Sequence, residues 1–180
     1  MNQHHLESFE NRLLGLGLAK HDCLVQWLLD ASCRFAPRDR YASDSLEQLG
    51  EETAREKKKL EIYLQGKPNI NEFREPYREF EKRFEGEKHY FIMDRIMARR
   101  LLNSLVIAIN DLELFYSQCS DQTADKELKL LYRKLREKAA LKQDVIRRLI
   151  EEQKRDAASP FGVSLSQIGA FSRFSMNSQM

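Results

Sequence analysis

Glycine, proline and cysteine are all scarce in this chain, with 7 Gly, 4 Pro and 3 Cys in 180 residues. Such low counts exclude a collagen-like repeat, a mucin-like stalk and a disulfide scaffold. The cysteines, Cys23, Cys33 and Cys119, are odd in number and lack Cys-x-x-Cys spacing. They read as three reduced, partly buried thiols, with a metal or redox thiol site as the alternative. No apolar run approaches the ~18–20 residues of a membrane span. The longest run near the N-terminus, Leu13 to Ala19, is broken by Gly15 and Gly17 and preceded by Glu7 and Glu10, which does not fit a signal peptide. Catalytic motifs are missing as well: there is no Gly-rich phosphate loop and no nucleophile elbow. The expectation is a soluble, cytoplasmic protein with no membrane partner and no enzymatic activity.

What is present is a length that suits one domain plus a tail, with 42% apolar and 32% charged residues. That composition buries a core under a highly charged surface. The 30 basic and 28 acidic residues nearly cancel, which argues against a bulk attraction to polyanions. The charge is uneven: residues 125–156 carry eleven Lys/Arg against seven Asp/Glu, whereas 43–65 carry four against six.

Helical periodicity dominates, and no period-two run marks a strand. A first helix is expected over about Leu6 to Phe35, with Leu14, Leu18, Val25, Leu28 and Phe35 on one face and Pro37 as its stop. Arg38 to Ala42 reads as a loop. Ser43 or Asp44 then caps a second helix, with Glu47 completing a capping box, and Gly66 and Pro68 end it. A short helix over about Glu72 to Glu85 follows, with Phe73, Tyr77, Phe80 and Phe84 inward. A long helix from about Glu87 to Ser120 carries Ile92, Ile96, Leu101, Leu102, Leu105, Ile109, Leu112 and Tyr116 on one face. The last, about Asp125 to Ala157, carries Leu128, Leu131, Leu135, Ala139, Ile146 and Leu149. The fold class is therefore all-α: a four-helix bundle over residues 1–158, a crossover containing the short extra helix, and a C-terminal tail over 159–180.

Residues 24–64 and 105–149 both read as helix, polar loop, charged helix. The stretch Leu112-Glu113-Leu114-Phe115-Tyr116, followed by Asp125-Lys126-Glu127-Leu128-Lys129, carries the similarity furthest. Two such halves joined by a crossover resemble the ferritin-like superfamily, its rubrerythrin-like members especially. That resemblance implies a di-iron site built from inward carboxylates and two Glu-x-x-His motifs. Its ligands are missing here. With Leu49 and Leu135 at the equivalent leucines, the Glu-x-x-His positions hold Thr53 with Glu56, and Ala139 with Lys142. The carboxylate positions hold Val25, Leu28, Leu105 and Ile109. His4 and His5 read as N-terminal surface, His89 as a solvated face, and His21, beside Cys23, lacks the further ligands a Cys/His metal site needs. No metal, no cofactor and no catalytic residue is expected.

Three features remain. Glu56 and Lys142 interrupt the inward stripes of two facing helices with opposite charges, so they are expected to form a core ion pair in the vacated site, or else to snorkel to solvent. Lys126, Lys129, Arg133, Arg136 and Arg147 form a basic stripe expected opposite the apolar face of the last helix. No aromatic residue interleaves it, which favours a solvated or partner-facing surface over nucleic acid. The tail carries Phe161, Val163, Leu165, Ile168, Phe171 and Phe174 and no acidic residue. This is too apolar for an ordinary solvating tail and reads as a docking segment, in cis or on a partner. The leading functional expectation is a protein-binding helical module, an adaptor, regulator or assembly subunit, with self-association included. The alternatives are a ferritin-like metal or redox protein and a nucleic-acid-associated factor.

Overall fold

The structure is a computed structural model that describes residues 3–65 and 90–158, with side chains from 9 to 65 and from 90 to 155. It contains four helices, α1 (Gln3–Phe35), α2 (Arg40–Leu64), α3 (Arg95–Gln122) and α4 (Lys126–Ala158), and no strand among the described residues. The protein is an all-α four-helix bundle. α1 and α2 pack together as one hairpin and α3 and α4 as another; the hairpins meet through α1 against α3 and, more narrowly, α2 against α4.

Local chemistry sets the turns. Past Phe35 the chain bends through Ala36, Pro37 and Arg38, and the amides of Arg38 and Asp39 both bond the Phe35 carbonyl. Asp39 leaves the helical region, at φ −144° and ψ 93°, and its carboxylate accepts from the Ala42 amide at 3.0 Å. So α2 begins at Arg40, earlier than the expected cap at Ser43 or Asp44, and there is no loop as long as Arg38–Ala42. Pro37 makes a turn tight enough for the next acidic residue to cap, which leaves Ser43 buried with its hydroxyl on the Ser32 carbonyl at 2.9 Å. At the other hairpin, the Asp125 carboxylate accepts from the amides of Glu127 and Leu128 and opens α4.

The long third helix starts later than its periodicity suggests. Asp94 caps it through the Met97 amide at 2.8 Å, and residues 90–94 are not helical. Ile92 therefore enters the core from a non-helical segment, its amide bonded to the Arg34 carbonyl at 3.1 Å. Ile96, expected inward, is 63% exposed because the helical register begins only after Asp94. On α1 the core position falls to Leu24, and Val25 is only half-buried. The short helix expected at Glu72–Glu85 and the tail 159–180 lie outside the described residues.

The bond from Ile92 to Arg34 places the start of α3 beside the end of α1. Gln153 of α4 reaches the Asp39 carboxylate at 2.6 Å at that same end. At the opposite end Thr123, between α3 and α4, donates to the Glu10 carboxylate at 2.6 Å. α2 and α3 thus run parallel. Every helix turns one face into a shared core of Leu, Ile, Ala, Phe and Tyr side chains, and His21 of α1, Glu56 of α2, Tyr116 of α3 and Lys142 of α4 are among the polar groups that interrupt those faces.

Candidate functional site

Those interruptions meet. His21 of α1, Glu56 of α2, Tyr116 of α3 and Lys142 of α4 all lie inside the bundle, none more than 2% exposed. The Lys142 ammonium stands 2.7 Å from Glu56 Oε1 and 2.6 Å from Oε2. Lys138, one turn earlier on α4 and partly exposed, reaches Oε1 at 3.4 Å. His21 Nε2 stands 3.5 Å from Glu56 Oε2, a close electrostatic contact rather than a formed hydrogen bond, so Nε2 has no hydrogen-bond partner among the described residues. The Tyr116 hydroxyl lies 2.9 Å from His21 Nδ1.

The proton positions follow from the partners. Nε2 faces a carboxylate, which only accepts, so in the neutral ring Nε2 carries the hydrogen. Nδ1 then accepts from the Tyr116 hydroxyl. The Gly17 carbonyl lies 3.0 Å from Nδ1, but a hydrogen placed there would leave a bare Nε2 against the carboxylate. The chain of polar contacts runs Tyr116–His21–Glu56–Lys142 and stitches all four helices together.

Electrostatics agree with the geometry. Burial raises the Glu56 pKa, but the imidazole of His21 and the ammonium of Lys142 outweigh it and hold the carboxyl down at about 2. Burial lowers the pKa of Lys142, with Glu56 opposing that effect and Lys138 adding to it. Burial also lifts Tyr116 well above the usual phenol range. Tyr132 stacks on Tyr116 with ring centroids 5.7 Å apart, and its buried hydroxyl has no hydrogen-bond partner among the described residues.

The Glu56–Lys142 pair is where the two interrupted stripes pointed. His21 and Tyr132 were missed. Histidine 21 falls seven residues after Leu14, three after Leu18 and seven before Leu28, so the helical period alone placed it inward. Tyr132 stands four residues after Leu128 and three before Leu135 in the same way. The centre therefore does hold a histidine. It still offers a metal only one imidazole and one carboxylate, and two ammonium groups already hold the carboxylate. Among the described residues no group of three His, Cys, Asp or Glu side chains is placed to bind a metal ion.

The basic stripe borders the core face of α4; it does not lie opposite. Lys126, Arg133 and Arg147 are exposed, but Lys129 and Arg136 are half-buried. Gln143, next on their line, is buried against the Glu113 carboxylate at 3.0 Å. That contact with α3 turns one edge of the stripe into a helix–helix seam. The tail residues Phe161, Val163, Leu165, Ile168, Phe171 and Phe174 lie outside the described residues. Among the cysteines, Cys33 is exposed, Cys23 half-buried and Cys119 buried, with burial pushing the Cys119 thiol up to about 12. Trp27 is half-buried and lines a shallow hollow between α1 and α3 with Lys20, Cys23 and Asp111. Among the described residues no helix is long and apolar enough to cross a membrane.

No family model matches the chain, and neither a curated protein nor a solved structure does so.

Proposed function

We propose that the chain is a non-enzymatic helical module that works by binding protein. The carrying observation is on the outside of α3: Ile96, Ile107 and Leu114 are each more than half exposed, on the side away from the core. Aliphatic side chains recurring along one outward face of a helix are the usual footprint of a protein contact. The apolar tail composition supports a second docking element. The polar centre supports the same reading from another direction, because its acid, base and hydroxyl groups are spent on one another inside a closed core. The free thiols of Cys33 and Cys119 suit a reducing compartment such as the cytoplasm.

The test is affinity capture from the source cells with three full-length baits. They are the native chain, Ile107→Glu/Leu114→Glu, and a tail variant with Phe161, Leu165, Ile168 and Phe171 changed to serine. A stoichiometric protein captured by the native chain and lost with either variant is the expected result. Retention of an identical set of proteins by all three would remove both surfaces from the reading. A metal-protein reading is separated by iron titration with metal analysis of the purified chain; two equivalents bound per chain would overturn the proposal.

A further inference from the structure

The outward face of α3 also carries a charge pattern. From Arg100 the exposed positions run Asn103, Ile107, Asn110, Leu114, Gln118 and Asp121, at steps of three or four residues. This is the spacing of a helix–helix seam. The sequence along it is nearly palindromic in chemistry. Ile107 and Leu114 are equidistant from a midpoint between Asn110 and Asp111; so are Asn103 and Gln118, and so are Arg100 and Asp121. Aliphatic matches aliphatic, amide matches amide, and cation matches anion.

Beyond the Asp94 cap, the charges are also the wrong way round for the helix that bears them. Arg95, Arg99 and Arg100 crowd the first two turns, where the macrodipole disfavours cations, while Asp121 sits in the last turn. The first turn has no acidic residue and the last turn no basic one. An antiparallel neighbour reverses the balance, because each arginine-rich start then faces an acidic helix end.

From this we infer that the outer face of α3 binds a second copy of the same chain. The two α3 helices pair antiparallel about a two-fold axis at the Asn110–Asp111 midpoint. In that arrangement Ile107 packs on Leu114 of the second copy and Arg100 meets its Asp121, with every contact made twice, as an isologous interface requires. The inference takes its starting point from the protein-binding reading and names the partner. The seam spans about 30 Å at 1.5 Å per residue. One helix pair of that length makes a small interface, so association is weak and concentration-dependent.

The test is sedimentation equilibrium of the full chain from low micromolar to near-millimolar concentration. The native mass is expected to rise from the 21.2 kDa of one chain toward twice that value. Ile107→Glu/Leu114→Glu should stay at one chain mass throughout. Arg100→Asp alone and Asp121→Arg alone should each weaken association by about tenfold, since each sets like charges together twice per dimer. Mixing these two variants in equal amounts recreates both opposite-charge contacts and should restore association to the native level. A single chain mass at every concentration overturns the inference, as does a dimer indifferent to the glutamate substitutions or a mixture no tighter than its components. A monomer that still captures a different protein through this face overturns the self-pairing and leaves the protein-binding reading standing. All substituted positions are exposed, and unchanged thermal unfolding of the variants shows that the readout reports association.

Discussion

Lys142 and Glu56, eighty-six positions apart, form a two-pronged ion pair at 2.6 and 2.7 Å with both side chains 2% exposed. The pair joins α2 to α4, which meet more narrowly than α1 and α3 do, and His21 and Tyr116 join α1 to α3 beside it. Buried ion pairs add little net stability over apolar residues of the same shape, because desolvation offsets the attraction. Breaking one leaves a lone charge in the core, which is far more costly. The cluster therefore favours the one alignment of the hairpins in which every charge is met.

Glu56→Gln and Lys142→Met should each destabilise the fold by ~3–5 kcal/mol. The double variant should lose much less than the sum, since neither charge is then stranded. Urea unfolding of the four proteins closes the cycle, and strictly additive losses would show that the pair contributes no coupling.

Acid should weaken the bundle through Glu56. Its folded pKa is depressed to about 2 from an ordinary 4.5. A depressed carboxyl stabilises the fold fully above the unfolded value and loses that contribution as pH falls from 4.5 toward 2. The shift corresponds to about 3 kcal/mol. Stability measured between pH 6 and pH 2 should fall steeply in the native chain and more gently in Glu56→Gln. Parallel curves would mean that another carboxylate carries the acid sensitivity.

Two buried tyrosines should respond differently to loss of the hydroxyl. Tyr116→Phe removes the donor to His21 Nδ1 and should cost ~1–2 kcal/mol by stranding that nitrogen. Tyr132→Phe removes a hydroxyl without a described partner and should be neutral or slightly stabilising. Nitrogen-15 shifts of the His21 ring supply a second check. The native chain should show the Nε2–H tautomer, and an Nδ1–H ring would refute the assigned direction of the network.

Two helical glycines should part ways on substitution by alanine, which ordinarily gains ~1 kcal/mol in a helix. At Gly17 a Cβ would stand 3.1 Å from the Tyr116 hydroxyl and 3.4 Å from Phe115 Cε1. Both belong to rings held by packing, so Gly17→Ala should destabilise by about 1 kcal/mol net as Tyr116 is pushed from His21. At Gly50 the Cβ would meet the Leu29 side chain at 2.9 and 3.2 Å. Leu29 is partly exposed and free to rotate, so Gly50→Ala should be near neutral. Equal effects at the two sites would mean that Tyr116 yields as readily as Leu29.

The long helices among the described residues, the hairpin turns near Pro37 and Asp125, and the two charges set into the inward stripes are all readable from the order of residues alone. These are local properties: period, capping and chain breaking act within a few residues and leave their mark there. Even the neglected inward positions, His21 and Tyr132, were legible by the same period. The start of α3 was less so, because Ile92 and Ile96 fit a helical spacing that Asp94 interrupts by capping. Helix packing alone brings Tyr116 to His21 and His21 to Glu56, and lets Gln143 draw one edge of the basic stripe toward α3. Such meetings depend on how far each helix is rotated and shifted along its neighbour. A single helix's periodicity carries no information about that offset, which is settled only when the four helices pack against one another.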